Sequence, residues 1–446
     1  MARPQIDLAR LRRASRTPVI TALTGFAGTP VHTWLPNAHS ASRGQFLTAQ
    51  GRAFVDFHAF KSRFSGQEIS EVLAATSPNH CMDGWTFLSR ALAALLSGDT
   101  HTARHLAYYA QLRAALCILG CNGIGIFNMI NFAIDRSLSV HQLEIIPPNN
   151  RGLGTHAAVW QALRLWASDR HSAKLFLESV TFRGVSLSDC LDALFPSSPP
   201  TPLVSKVIET WGVDLRRSAA ERESRNISSY AAHAFNPTRS GLRVRLELVR
   251  DIWSCLEPDG GGGFPSLDRH LLRKFLELMR AQHPTSTSVP KRSFWTAKFP
   301  DLHPTIQTFA SLNFLLRVDE PSDPDVFSSA NKPQGDVHAM VCRAVLFLRI
   351  ATSVVHTALI DAGFVPLADK VPPWFKQVGD ARGFWPHGQM PDDLMDLWTD
   401  VESAVSDLDD SISSNPVDQY RFFGPSSGHV GFLSQMERAC MWALCA

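Results

Sequence analysis

Apolar positions recur three and four residues apart along most of this chain, which is the spacing of a helix face rather than of a strand. Leu106, Tyr109, Leu112, Leu116 and Leu119 form one such stripe and predict a helix from about 100 to 119. Gly98-Asp99-Thr100 supplies capping oxygens at its start, and Gly120, Gly123 and Gly125 stop it in a turn. Those glycines follow a helix rather than a strand, so they read as a helix end and not as a nucleotide-binding loop. Helical spacing also covers 84–96, 157–167 (Val159, Leu163, Trp166), 187–195, 203–234 and 242–256 (Val244, Leu248, Ile252, Trp253). Further on it covers 267–280, 305–318, 336–362 and 392–411, with a short apolar helix closing 426–446. Ser77-Pro78-Asn79-His80 reads as a loop, and the prolines between Pro196 and Pro202 as a break. Alternation over several strands is absent and no internal repeat is evident, so the expected fold class is all-α.

With 446 residues the chain is long enough for more than one core. Residues 1–95 look mixed and irregular, 96–256 form a helical bundle, 257–266 a glycine-rich linker, and 267–446 a C-terminal helical domain. The linker is the run Pro258-Asp259 followed by Gly260, Gly261, Gly262 and Gly263. The apolar stretch 337–360 carries His338, Arg343, Arg349 and His356, and charge at mid-membrane is costly. It therefore reads as a buried core helix, and no membrane association is expected. Trp374-Phe375 and Phe384-Trp385 stand in proline- and glycine-containing loops, either as exposed anchors for a partner or packed beneath those loops.

Composition leaves this picture in place. Hydrophobic residues make up 45% and charged residues 19%, with a formal net charge of +2. That is the balance of a soluble globular protein and excludes a broadly basic coat, though not a local basic cleft. Arg3, Arg10, Arg12, Arg13 and Arg16 face only Asp7; with no apolar run behind them they read as a solvated helix face rather than a secretory signal. Eight scattered cysteines without a C-x-x-C pair suit a reducing cytoplasm.

Two segments carry candidate chemistry. One is Arg225-Asn226-Ile227-Ser228-Ser229-Tyr230, followed by His233. Arg225 is permanently charged and can grip a phosphate with two parallel hydrogen bonds; Asn226 can donate to one; His233 titrates near neutrality. The other is the helix around Arg104, His105 and Tyr108, where helical spacing puts Arg104, Tyr108 and Gln111 on one side. Tyr109 falls on the apolar stripe and reads as core, leaving Tyr108 for a site. The structural alternative pairs Arg225 with Glu221 one turn back and leaves Asn226 as a cap. His101 and His105 have a metal-compatible spacing, but no Glu or Cys completes the set, so neither metal nor cofactor is expected.

The pattern over about 98–235 resembles the HEPN superfamily, in particular a YaaC-like bacterial group. The likeness rests on Ala107-Tyr108-Tyr109-Ala110-Gln111-Leu112-Arg113-Ala114, on Gly154-Thr155-His156-Ala157-Ala158-Val159-Trp160, and on Arg225-Asn226 near the end of the last long helix. It covers roughly a third of the chain. The resemblance implies a bundle of about four helices and an RNA-binding or metal-independent ribonuclease activity, in a toxin or antiviral defence component that pairs with a second copy or another protein. It gives Arg225 the scissile phosphate and Asn226 its positioning, Tyr230 or His233 the 2′-hydroxyl, and Arg104, His105 and Tyr108 the cleft. The chain departs from the family pattern in one respect: Tyr230 stands where a histidine is expected, and His233 lies one residue beyond the usual range. A non-catalytic helical adaptor is the alternative.

Overall fold

The computed structural model describes residues 4–26, 57–127, 130–147, 152–197, 199–230, 241–259, 263–283, 288–333, 335–364, 372–385, 388–414 and 429–444. The protein is mainly helical, with a small amount of antiparallel sheet. The chain divides into two compact units, each drawn from three separate stretches. One comprises 1–84, 112–169 and 354–390; the other comprises 85–111, 170–353 and 391–446. This differs from the expected order of segment, bundle, linker and domain. The helices Gly66–Leu96, Thr100–Cys121 and Val337–Asp361 each give one part to each unit.

The first unit departs most from the sequence pattern. Much of the supposedly irregular N-terminal segment belongs to the helix Gly66–Leu96, with Pro78 inside it. Proline removes one backbone donor, and the neighbouring polar side chains fold back onto the helix carbonyls. Thr76 Oγ1 donates to Val72 O at 2.7 Å, Ser77 Oγ to Leu73 O at 2.7 Å, and Asn79 Nδ2 to Ala75 O at 2.7 Å. The expected loop at 77–80 is therefore helix. Beyond Cys121 the chain turns at Gly123, whose φ of +79° suits glycine, into the strands Ile124–Phe127, Ile130–Ile134 and Val140–Gln142. They form an antiparallel sheet in that order, with Gly125 opposite Phe132. A side chain at 125 would strike the Phe132 ring. The middle strand, Ile-Asn-Phe-Ala-Ile, is buried at every position, so no alternation marks it in the sequence.

Arg12 and Arg13 are exposed, as a solvated face implies, but the described N-terminal arginines also tie to other parts of the chain. Arg10 Nη1 donates to the carbonyls of Gln142 and Glu144, Arg12 pairs with Asp169, Arg13 meets His141, and Arg16 pairs with Asp361 at 2.8 Å. Phe384 and Trp385 are buried, with the indole against Gly379, so they are core residues and not exposed anchors. The side chains of Trp374 and Phe375 lie outside the described residues.

In the second unit the expected helix over 203–234 is broken into three pieces: Val204–Thr210, the 3₁₀ turn Leu215–Arg217 and the helix Ser218–Tyr230. Gly212, at φ +98°, makes the break while Trp211 stays buried with its indole N–H on Leu271 O. The stretch 305–318 is likewise divided, into Pro304–Phe309 and Leu312–Leu315. The far end of the glycine-rich linker is anchored: Phe264 is fully buried and its N–H donates to Asp268. Asp268 in turn holds Arg349 at 2.7 and 2.9 Å, both groups buried. Among the described residues Val337–Asp361 is the one helix long and apolar enough to cross a membrane, and its apolar stretch is wholly buried within the protein.

Candidate functional site

Both motif segments fall in the second unit and pack against each other. Ser218–Tyr230 presents one face to the interior, with Ser218, Glu221, Arg225 and Ser228 buried at helical spacing. Thr100–Cys121 answers with Arg104, Tyr108 and Gln111, all buried, on the side the spacing predicted.

Arg225 is the centre of the contact. Its guanidinium lies 5.2 Å from the Tyr108 ring centroid and 5.4 Å from that of Tyr109, and the two rings meet edge to face at 5.9 Å. A planar cation over aromatic faces is attracted by the ring quadrupoles, and burial strengthens that attraction. The expected assignment of the tyrosines is inverted. Tyr108 is fully buried, whereas Tyr109 is half-buried and stacks on Phe87 at 5.3 Å. The Tyr109 ring lies on the apolar stripe, but that stripe runs out to the helix edge.

Arg104 is buried beneath the same contact. Nη1 donates to Ser228 Oγ at 2.9 Å and Nη2 to Gly335 O at 2.8 Å. Burial pushes its pKa down, and Asp336 opposes the shift. Glu221, the spacing-based partner for Arg225, is instead held by Arg343 at 2.6 Å with both groups buried. Burial raises the Glu221 carboxyl pKa and Arg343 opposes that rise. Gln111 Nε2 donates to Met340 O.

The solvent-facing edge is built differently from its base. Consecutive helix residues point about 100° apart, so Asn226 does not share the face of Arg225. It is exposed, on one stripe with half-buried Arg222 and exposed Ser229 at spacings of four and three. From the other helix half-buried His105 reaches this edge: Nδ1 lies 2.7 Å from Ser229 Oγ and the imidazole packs on Tyr109 at 4.9 Å. Burial, and then the Arg225 charge, lower the His105 pKa, which favours the neutral ring. The arrangement therefore has an imidazole, a hydroxyl, an amide and a guanidinium along its rim, beside two buried arginines.

The structure thus brings Arg104, His105, Tyr108 and Arg225 together and separates Asn226 from Arg225 by a quarter turn of helix. The side chain of Tyr230, and all of His233, lie outside the described residues. Ser228 and Ser229, which anchor Arg104 and His105, were not singled out in the sequence. Ser229 stands four residues after Arg225, a spacing that places it beside the arginine; serine alone carries no signal. No family model matches the chain, and neither the curated proteins nor the solved structures give a match.

Proposed function

We propose that the chain is a HEPN-like RNA-binding protein that contacts phosphate along the edge of Arg222, Asn226, Ser229 and His105. The observation that carries this reading is the Arg225 guanidinium over Tyr108 and Tyr109. It joins two of the three segments on which the resemblance rests. Buried Arg225 and Arg104 organise the rim from beneath and lend it positive potential, while the polar groups above meet the backbone. By the same resemblance the protein acts as a toxin or antiviral defence component, together with a second copy or a protein partner, and its scattered cysteines suit the cytoplasm.

The test is binding of a short single-stranded RNA of mixed sequence by the full chain across a salt series. Arg222→Ala and Asn226→Ala are each expected to weaken binding several-fold. Arg222→Ala should also reduce the salt slope by about 0.7, the contribution of one phosphate contact to a single strand. Salt-independent binding, or none, refutes the reading. Burial of Arg225 and Arg104 in helix packing favours a second reading, a helical adaptor that binds a protein partner without chemistry.

A further inference from the structure

We propose that Arg245 anchors a site for a small carboxylate ion, with His338 as the second contact. Arg245 lies on the helix Leu242–Cys255 and is 7% exposed. Among the described residues its one hydrogen bond runs from Nη1 to Leu95 O at 3.2 Å, at the close of the helix Gly66–Leu96. A carbonyl dipole does not cancel a unit charge, and a buried charge without a counter-ion is costly. Other buried arginines meet a carboxylate: Arg349 grips Asp268 through Nε and Nη2, and Arg343 takes Glu221. Arg245 has no such partner among the described residues, and burial lowers its pKa with no acid opposing the shift. Its Nε is buried and unpartnered; Nη2 is also unpartnered but not buried, so solvent reaches the guanidinium from that side.

The surroundings leave that charge uncancelled. Gly98, at φ +88°, makes room for the guanidinium: a side chain there would stand 2.5 Å from Nη1. His338, 8% exposed, stands in the first turn of the helix Val337–Asp361, with Nε2 buried and unpartnered and Nδ1 open. Burial lowers its pKa, Asp336 opposes, and Lys332 and Arg245 add to the shift, so the Arg245 charge acts on the ring. Asp336 is committed elsewhere: Oδ1 accepts from the N–H groups of His338 and Ala339 and caps the helix. The missing charge is one, and a carboxylate carries one. A flat carboxylate also passes a narrower opening than a tetrahedral phosphate. Because Arg245 is more than nine-tenths buried, the occupant is a small organic acid and not the surface of a folded partner. One carboxylate oxygen accepts from Arg245 Nη2 and the other from Nδ1 of a neutral His338. Nothing in this site requires RNA to bind elsewhere on the protein.

The experiment follows the urea midpoint of the full chain near neutral pH as acetate replaces chloride at constant ionic strength. Saturation transfer to the acetate methyl group reads binding directly. The midpoint is expected to rise and then level off, because a ligand held only by the folded chain stabilises it by mass action. Arg245→Met removes the unpaired buried charge; it should start from an equal or higher midpoint in chloride and lose both responses to acetate. His338→Leu should weaken acetate several-fold, and phosphate in place of acetate should give no saturating rise. A wild-type protein without a saturating response, or an equal response from Arg245→Met, overturns the proposal. Phosphate acting as strongly as acetate overturns the assignment to a carboxylate. Should Arg245→Met not fold, Arg245→Lys keeps the charge but loses the planar donor set, and acetate binding unchanged in that variant also overturns it.

Discussion

Arg225 is held by its shape as much as by its charge. A planar guanidinium can lie across two rings set nearly at right angles, and a lysine ammonium cannot match both faces. Arg225→Lys is therefore expected to cost about 1–2 kcal/mol, read from the urea unfolding midpoint, although the formal charge is kept. The residue types at this cluster were legible in the sequence. Their geometry was only partly so. Helical spacing put Arg104 and Tyr108 on one face, but it could not decide which carboxylate takes which arginine. Glu221 went to Arg343, more than a hundred residues away, because a buried carboxylate requires a buried cation and Arg343 stands opposite it. Serines that anchor the arginine and the imidazole gave no signal in advance.

Elements were legible where the period was long and unbroken. Thr100–Cys121, Leu242–Cys255 and Val337–Asp361 lie within a few residues of their expected bounds. The failures have local causes: a proline whose neighbours bond back to the helix at Pro78, a left-handed glycine at Gly212, and strands buried on both faces around Phe132. The helix containing Pro78 also carries a titrating contact. Arg113 Nη1 lies 2.9 Å from His80 Nδ1, which therefore must accept and stay unprotonated. Burial first, and Arg113 second, lower the His80 pKa from 6.5 to about 3. Below pH 6.5 the unfolded chain takes up a proton that the folded chain refuses, so stability is expected to fall as pH drops from 6.5 towards 3. The slope from this group is at most about 1 kcal/mol per pH unit, part of the full linkage being lost to solvent screening. His80→Gln should flatten that portion of the urea midpoint against pH.

For the molecule as a whole, the division of the chain was the least legible feature. Composition suggested a linker at the glycines, yet Phe264 within it is buried and tied to Asp268. The Asp268–Arg349 pair is among the most deeply buried charge pairs described, and removing one partner leaves the other without its counter-ion. Asp268→Asn is expected to cost about 3 kcal/mol in urea unfolding, and adding Arg349→Met should recover much of that loss.

The interleaving of the two units also governs how the protein comes off the ribosome. The stretches of the two units alternate along the chain, and the first is not complete until residues 354–390 have been made. Domains whose sequence is contiguous can fold while synthesis continues, but here the early helices must wait with apolar faces uncovered. A nascent chain that stops near residue 256 would look like a finished bundle in sequence, yet it would lack segments of both cores.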